Sequence, residues 1–245
     1  MIQISKKRHI IPFIECFILS SLLLMMVVSQ FSLLLSLLRF GIITPSEMLQ
    51  MLLQLDWQAV ISLSFLLDPF VFMFVLISNF ILYSVLKKKY NFELNVFLYG
   101  VGFTSCCVMF ELFTLTGFIL LGLYDPFGGG IEVYFYHILS MLLFTSLYYS
   151  YATFLQNKEK EISRVTLYLT AITGISFAVL IIFEIIQYRI PYAGIIPFLF
   201  ILYLAYCLIH KKGLLNLRGF AWSPFIPSSV MFGCVLLYAL IITPF

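Results

Sequence analysis

Seven stretches of this chain, at about 10–38, 58–86, 94–123, 131–155, 165–188, 192–209 and 225–243, are almost unbroken apolar runs. A helix needs about 20 such residues to cross the hydrocarbon core of a bilayer. Inside lipid the backbone must satisfy its own N–H and C=O groups, so runs of this length fold as spanning helices. Composition points the same way. Hydrophobic residues make up 62% of the chain and charged residues only 10%, with a mean hydropathy of +1.08, whereas a soluble domain carries about 25% charged residues. Too few charges remain to clothe the apolar mass in water. The expected fold is therefore all-α: a polytopic transmembrane helical bundle of about seven spans, forming a single domain over 1–245.

The basic residues set the orientation. Lys6, Lys7 and Arg8 precede the first run; Lys87, Lys88 and Lys89 follow the second. Lys158, Lys160 and Arg164 follow the fourth, and Lys211, Lys212 and Arg218 follow the sixth. The alternate loops hold only Arg39 and Arg189, with the acids Glu47, Asp56, Asp125 and Glu132. By the positive-inside rule the basic loops are cytoplasmic. The N-terminus is then expected inside and the C-terminus outside. Removing one span would scramble this alternation, so the pattern also supports the count.

The breaks between runs carry turn signals: Asp125-Pro126 before Gly128-Gly129-Gly130, then Pro191, then Ser223-Pro224. The last run, 225–243, is flanked by Pro224, Pro227 and Pro244, which leaves a re-entrant or interfacial piece as its alternative. The segment 43–55, with Thr44 as a cap, Pro45 in the first turn and Met48, Leu49, Leu52 and Leu53 at helical spacing, predicts an amphipathic helix on the outer face. Cys16, Cys106, Cys107, Cys207 and Cys234 all lie within apolar runs without a C-x-x-C pair or a histidine at ligand spacing, and read as small core residues.

Ionisable residues inside a membrane are costly and mark candidate sites. Asp68 and Glu111 lie near mid-membrane in the second and third runs, and His137 and Glu184 in the outer halves of the fourth and fifth. Together with Arg39 at the outer end of the first run, these are the candidate substrate-binding residues. The plain alternative is a neutral carboxyl hydrogen-bonded to a neighbouring helix, and for His137 a packed polar residue. Glu15 lies near enough to the cytoplasmic end to snorkel and is expected to have no special role. H-E-x-x-H, G-x-S-x-G and Walker sequences are absent, so no catalytic residue, metal or cofactor is expected.

The order of features from the first run to the third resembles the lipopolysaccharide-transport permease family of the LptF/LptG type. The shared pattern is a basic cytoplasmic start and a long first helix, then a Pro-started outer stretch leading into the second span, TPSEMLQMLLQLDWQAVISLSFLLDPF. A short charged cytoplasmic segment follows, LKKKYNFELNVFLYGVG. The loop QNKEKEISR and the turn YRIPYAGIIPF fall where the family's second half has a basic loop and a proline turn. Two departures are plain: YDPFGGG replaces the family's large periplasmic β-domain, and a seventh span is added. The resemblance implies a permease subunit without its own nucleotide site, which exports or extracts a lipid or amphiphile. It implies a second membrane subunit and a separate cytoplasmic ATPase docking at Lys87, Lys88, Lys89 and Glu93, in a bacterial cytoplasmic (inner) membrane. Membrane lipid is the expected ligand environment, and nucleic acid is not expected as a partner. A seven-span sensor or assembly subunit, and a secondary carrier using the intramembrane carboxylates, are the other two readings.

Overall fold

The computed structural model describes residues 2–41, 44, 46, 64–120, 132–157, 162–188, 206, 210 and 215–242; within the long helices some side chains lie outside that description. Every element among the described residues is a helix: α1 (Ile2–Arg39), α2 (Ser64–Tyr90), α3 (Leu94–Leu120), α4 (Glu132–Gln156), α5 (Arg164–Tyr188), α6 (Leu217–Trp222) and α7 (Phe225–Ile242). Five described stretches are long and apolar enough to cross a membrane: His9–Val28, Val71–Tyr90, Leu94–Phe113, Ile138–Gln156 and Leu217–Tyr238. The chain is an integral, multi-pass helical membrane protein. The sixth expected run, 192–209, and the outer amphipathic segment, 43–55, lie outside the described residues apart from Tyr206, Thr44 and Ser46.

Local chemistry explains where the helices stop. Arg39 closes α1 with a positive charge beside the exposed carbonyls of its last turn, and Gly41 follows at φ +66°, the left-handed conformation that ends many helices. At 38 residues α1 is about 57 Å long, enough to reach from one headgroup layer to the other. After Tyr90, Asn91 takes φ 50°, one of the few non-glycine residues that tolerates this region, and reverses the chain into α3 within three residues. Phe92 in that turn is buried and stacks on Tyr90 at 5.7 Å. No separate helix lies between α2 and α3.

Side-chain hydrogen bonds fix the helices' register against one another. Tyr99 of α3 donates to Glu15 of α1 at 2.5 Å, and Cys106, two turns on, donates to the Leu19 carbonyl at 3.0 Å. Ser228 of α7 donates to the Cys106 carbonyl at 2.7 Å. So α1, α3 and α7 run in the same direction. α2 and α4 run parallel to each other, from the outer side inward: Tyr149 donates to the Asn79 carbonyl at mid-depth, and Ser78 meets Thr145 one turn further out along α4. These contacts reproduce the alternation read from the basic residues, and Lys87–Lys89, Arg164 and Arg218 all come to one end of the bundle.

α3 is the axis, with α1, α2, α4, α6 and α7 packed around it, while α5 lies outside against α4. α1 and α5 turn apolar faces outward, including Ile10, Phe17, Met25 and Ile172, Ile175, Val179, as lipid-facing helices do. Glycines admit the close approaches. A Cβ on Gly102 would sit 2.9 Å from Leu19 Cβ, and one on Gly100 would sit 2.6 Å from Asn79 Oδ1 and 2.9 Å from the Tyr148 ring. Small residues at helix contacts are what association in lipid requires, because no hydrophobic force drives helices together there.

Two sequence expectations change and one is extended. The last run, expected at 225–243, forms α7 over Phe225–Ile242 packed along α3, and the short helix α6 and a turn at Ser223–Pro224 precede it. The prolines that made this segment suspect mark the break within it, since Pro224 lacks the N–H that would continue the helix. Glu15, expected to snorkel, is buried and held by Tyr99 and Arg218. Of the cysteines, Cys106 and Cys107 are buried as expected, but Cys234 is exposed on the outside of α7.

Candidate functional site

The core carries an unusual number of polar groups. Among the described residues Ser20, Ser78, Asn79, Thr104, Ser105, Glu111, Ser140, Thr145, Ser150 and Thr153 are all buried. In lipid each must find a partner, and they find one another. At mid-depth, Asn79 Nδ2 donates to the Val75 carbonyl at 2.8 Å and to Thr104 Oγ1 at 3.3 Å. Thr104 Oγ1 lies 3.4 Å from Thr145 Oγ1, and Thr145 Oγ1 lies 3.1 Å from Ser78 Oγ. About two turns further out along α3, Ser140 of α4 donates to Glu111 Oε2 at 2.7 Å. Glu111 is 3% exposed, so this carboxyl sits inside the bundle and not in lipid.

Backbone register locates the other expected site residues. Ser78 is level with Thr145; Asp68 lies as far outward along α2 from Ser78 as Phe135 does along α4 from Thr145, about 15 Å. Ser150 Oγ is 3.2 Å from Thr170 Oγ1, and moving about 20 Å outward from that pair reaches His137 on α4 and Glu184 on α5. Asp68, His137 and Glu184 therefore share one depth in the outer half, with Glu111 about one turn below. Their helices adjoin in the order α2, α4, α5, with α3 behind α2 and α4. The side chains of Asp68, His137 and Glu184 lie outside the described residues, so only their level is assigned. Arg39 stands apart, exposed at the outer end of α1.

Lys87, Lys88 and Lys89 occupy the last turn of α2, and Glu93 immediately precedes α3; all four are exposed at the cytoplasmic end. Lys87 and Lys89 place their ammonium groups 5.4 Å from the rings of Tyr83 and Tyr90.

The cytoplasmic end holds a group that the sequence reading missed. Glu15 Oε2 accepts from Tyr99, and Glu15 Oε1 is ion-paired with Arg218 of α6. Beside it Phe220, 1% exposed, stacks on Tyr151 at 4.1 Å and on Phe103 at 4.9 Å. Tyr151 donates to the Leu215 carbonyl at 2.5 Å and accepts from the Leu215 N–H at 3.3 Å. The missed signal was one of spacing. Glu15, Leu19 and Leu23 recur every four residues and form the buried stripe of α1, so Glu15 had to face the bundle.

These features define the class: a polytopic helical membrane protein with a polar-threaded core and an ionisable layer in its outer half. Compared with known protein families, with curated proteins and with solved structures, the chain matches none.

Proposed function

We propose that this chain is the membrane-embedded permease subunit of a transporter, and that a polar group enters the bundle at the level of Asp68, Glu111, His137 and Glu184. The observation that carries this reading is the common depth of these residues on α2, α3, α4 and α5, with the bonded hydroxyl groups of Thr104, Thr145 and Ser78 further in. A bundle built only for packing would fill that level with apolar side chains at lower cost.

The resemblance to lipopolysaccharide-transport permeases, together with Arg39 at the outer headgroup level, favours an anionic lipid or amphiphile as cargo. A guanidinium there grips a phosphate or carboxylate through paired charge-assisted bonds. Energy then comes from a separate ATPase at the exposed Lys87–Glu93 edge, and the membrane is the bacterial cytoplasmic one. This edge is a three-residue turn, so Glu93 and the three lysines would carry most of the contact.

The test is translocation of fluorescent NBD-phosphatidylglycerol between vesicle leaflets by the chain purified with its associated subunits. ATP-dependent movement that Glu93→Arg uncouples from hydrolysis supports the reading. Movement unaffected by Glu93→Arg removes this edge as the docking surface. No movement with ATP present favours the assembly subunit, for which the dense hydrogen-bonded core would serve as helix glue alone.

A further inference from the structure

We propose that Asp68, Glu111 and His137 are the ligands of a divalent cation held in the seam of α2, α3 and α4, and that Glu184, at the same depth, is not. For the cation's role the proposal rests on the transport reading above; for its place it rests on helix register and charge.

The register starts from one node. Ser78 of α2 and Thr104 of α3 both lie against Thr145 of α4, at 3.1 and 3.4 Å. At 1.5 Å per residue, position 68 is about 15 Å outward of that node, position 137 about 12 Å and position 111 about 10 Å. All three fall within one helical turn.

Helical phase puts them on facing sides as well as at one depth. Position 68 precedes Val75 by seven residues and Leu82 by fourteen, both on the buried face of α2. That face also carries Ser78 and Asn79, whose side chains reach Thr145 of α4 and Thr104 of α3. Position 137 precedes the buried Phe144 by seven residues and Tyr148 by eleven. Tyr148 donates to the Val96 carbonyl of α3, and Ser140, one turn from position 137, donates to Glu111. Position 137 therefore stands on the face of α4 that meets α3, where the Glu111 carboxyl already is. Position 184 differs. It follows Thr170 by fourteen residues, on the face of α5 that meets α4 through Ser150. Ser150 is two residues from Tyr148, more than half a turn round the helix, so α5 covers the other side of α4.

Charge decides what the seam holds. On the outer side the sequence has two basic residues, Arg39 at the end of α1 and Arg189 beyond α5, and it places none in the outer halves of α2, α3 and α4. Two carboxylates at one depth in a membrane therefore need protons or a bound cation. Two neutral carboxyls would leave the histidine at the same depth unexplained. Two carboxylates with a neutral imidazole balance a divalent ion, and mixed oxygen and nitrogen donors suit Mn²⁺ or Zn²⁺ better than Ca²⁺ or Mg²⁺. Such an ion also gives an anionic headgroup a partner at a level whose own side chains are acidic.

The test uses Mn²⁺ on the purified full-length chain, stripped with EDTA and desalted, with binding followed by loss of the free-ion EPR signal. About one Mn²⁺ per chain should bind, and the bound ion should show electron spin-echo modulation from an imidazole nitrogen. Asp68→Asn, Glu111→Gln and His137→Gln should each weaken binding at least tenfold, and His137→Gln should abolish the nitrogen modulation. Glu184→Gln should change the affinity less than twofold. Each variant is compared at the parent's cooperative unfolding transition; should Asp68→Asn lose it, His137→Gln and the nitrogen signal decide. No bound Mn²⁺, binding that the three variants leave unchanged, or equal weakening by Glu184→Gln overturns the site. Binding is read without lipid or ATP, so a failed cation site shows here and a failed transport reading shows in lipid movement.

Discussion

The cytoplasmic half of the bundle and its outer half solve the same problem differently. Near the cytoplasm, polar groups are spent on closure: Tyr148 donates to the Val96 carbonyl and Tyr151 to that of Leu215, and Arg218 meets Glu15. Each bond joins two elements, and the rings that carry them are fully buried. Further out, the ionisable residues come to one level, and the Glu111 carboxyl accepts from Ser140 of the neighbouring helix. The division of labour, tie below and site above, is what the variants below are meant to break.

The largest effect should come from Arg218→Ala. It leaves the Glu15 carboxylate in the α1–α3 seam with Tyr99 as its remaining described partner, and breaking buried pairs typically costs 3–5 kcal/mol. Because the guanidinium is mostly exposed, the lower end, about 3 kcal/mol, is expected in thermal or denaturant unfolding in detergent. Next is Gly102→Ala. Its Cβ would fall 2.7 Å from Leu19 Cδ1 and 2.9 Å from Leu19 Cβ, and the second atom cannot rotate away, so α1 must shift at a cost of about 1–3 kcal/mol. Tyr151→Phe removes both hydrogen bonds to Leu215 but keeps the ring on Phe220, and should cost about 1–2 kcal/mol. Smallest is Arg39→Gln in the outer half: stability within about 0.5 kcal/mol, as for exposed sites, with a clear fall in lipid movement. If Arg39→Gln destabilised the fold more than Arg218→Ala, the contrast between the halves would be reversed.

Much of this was legible in the sequence because lipid simplifies the code. Long apolar runs bounded by lysines read as spans, so the described ends of α1 to α5 fell within a few residues of expectation apart from the cytoplasmic start of α1, while the expected outer start of the second span, at 58, lies outside the described residues. The alternation of basic loops agrees with Lys87–Lys89, Arg164 and Arg218 gathering at one end of the bundle. The errors came where a polar residue had two ways to be satisfied. Glu15 is within reach of the headgroups, and only its place on the buried stripe of α1, opposite Tyr99, shows that it turns inward. The segment 217–224 reads as loop because it holds Arg218, Gly219 and Pro224, yet Asn216 caps a helical turn and Phe220 is drawn into the aromatic core. Asp68, Glu111, His137 and Glu184 were recognisable singly from the cost of placing such groups in a membrane. Their shared depth was not, because it depends on helix register set by pairs such as Ser78–Thr145 and Ser150–Thr170, which nothing local in the chain announces.

Glu111→Gln puts the central claim to its most direct trial. The amide oxygen of Gln accepts from Ser140 as the carboxylate does, so packing and the interhelical bond survive while the ionisable group is lost. Measured side by side, the account predicts an unfolding midpoint within about 2 °C of the parent, under 1 kcal/mol, and NBD-phosphatidylglycerol movement reduced at least tenfold. Unaltered movement at unaltered stability would contradict it, and would make Glu111 one more strut between α3 and α4.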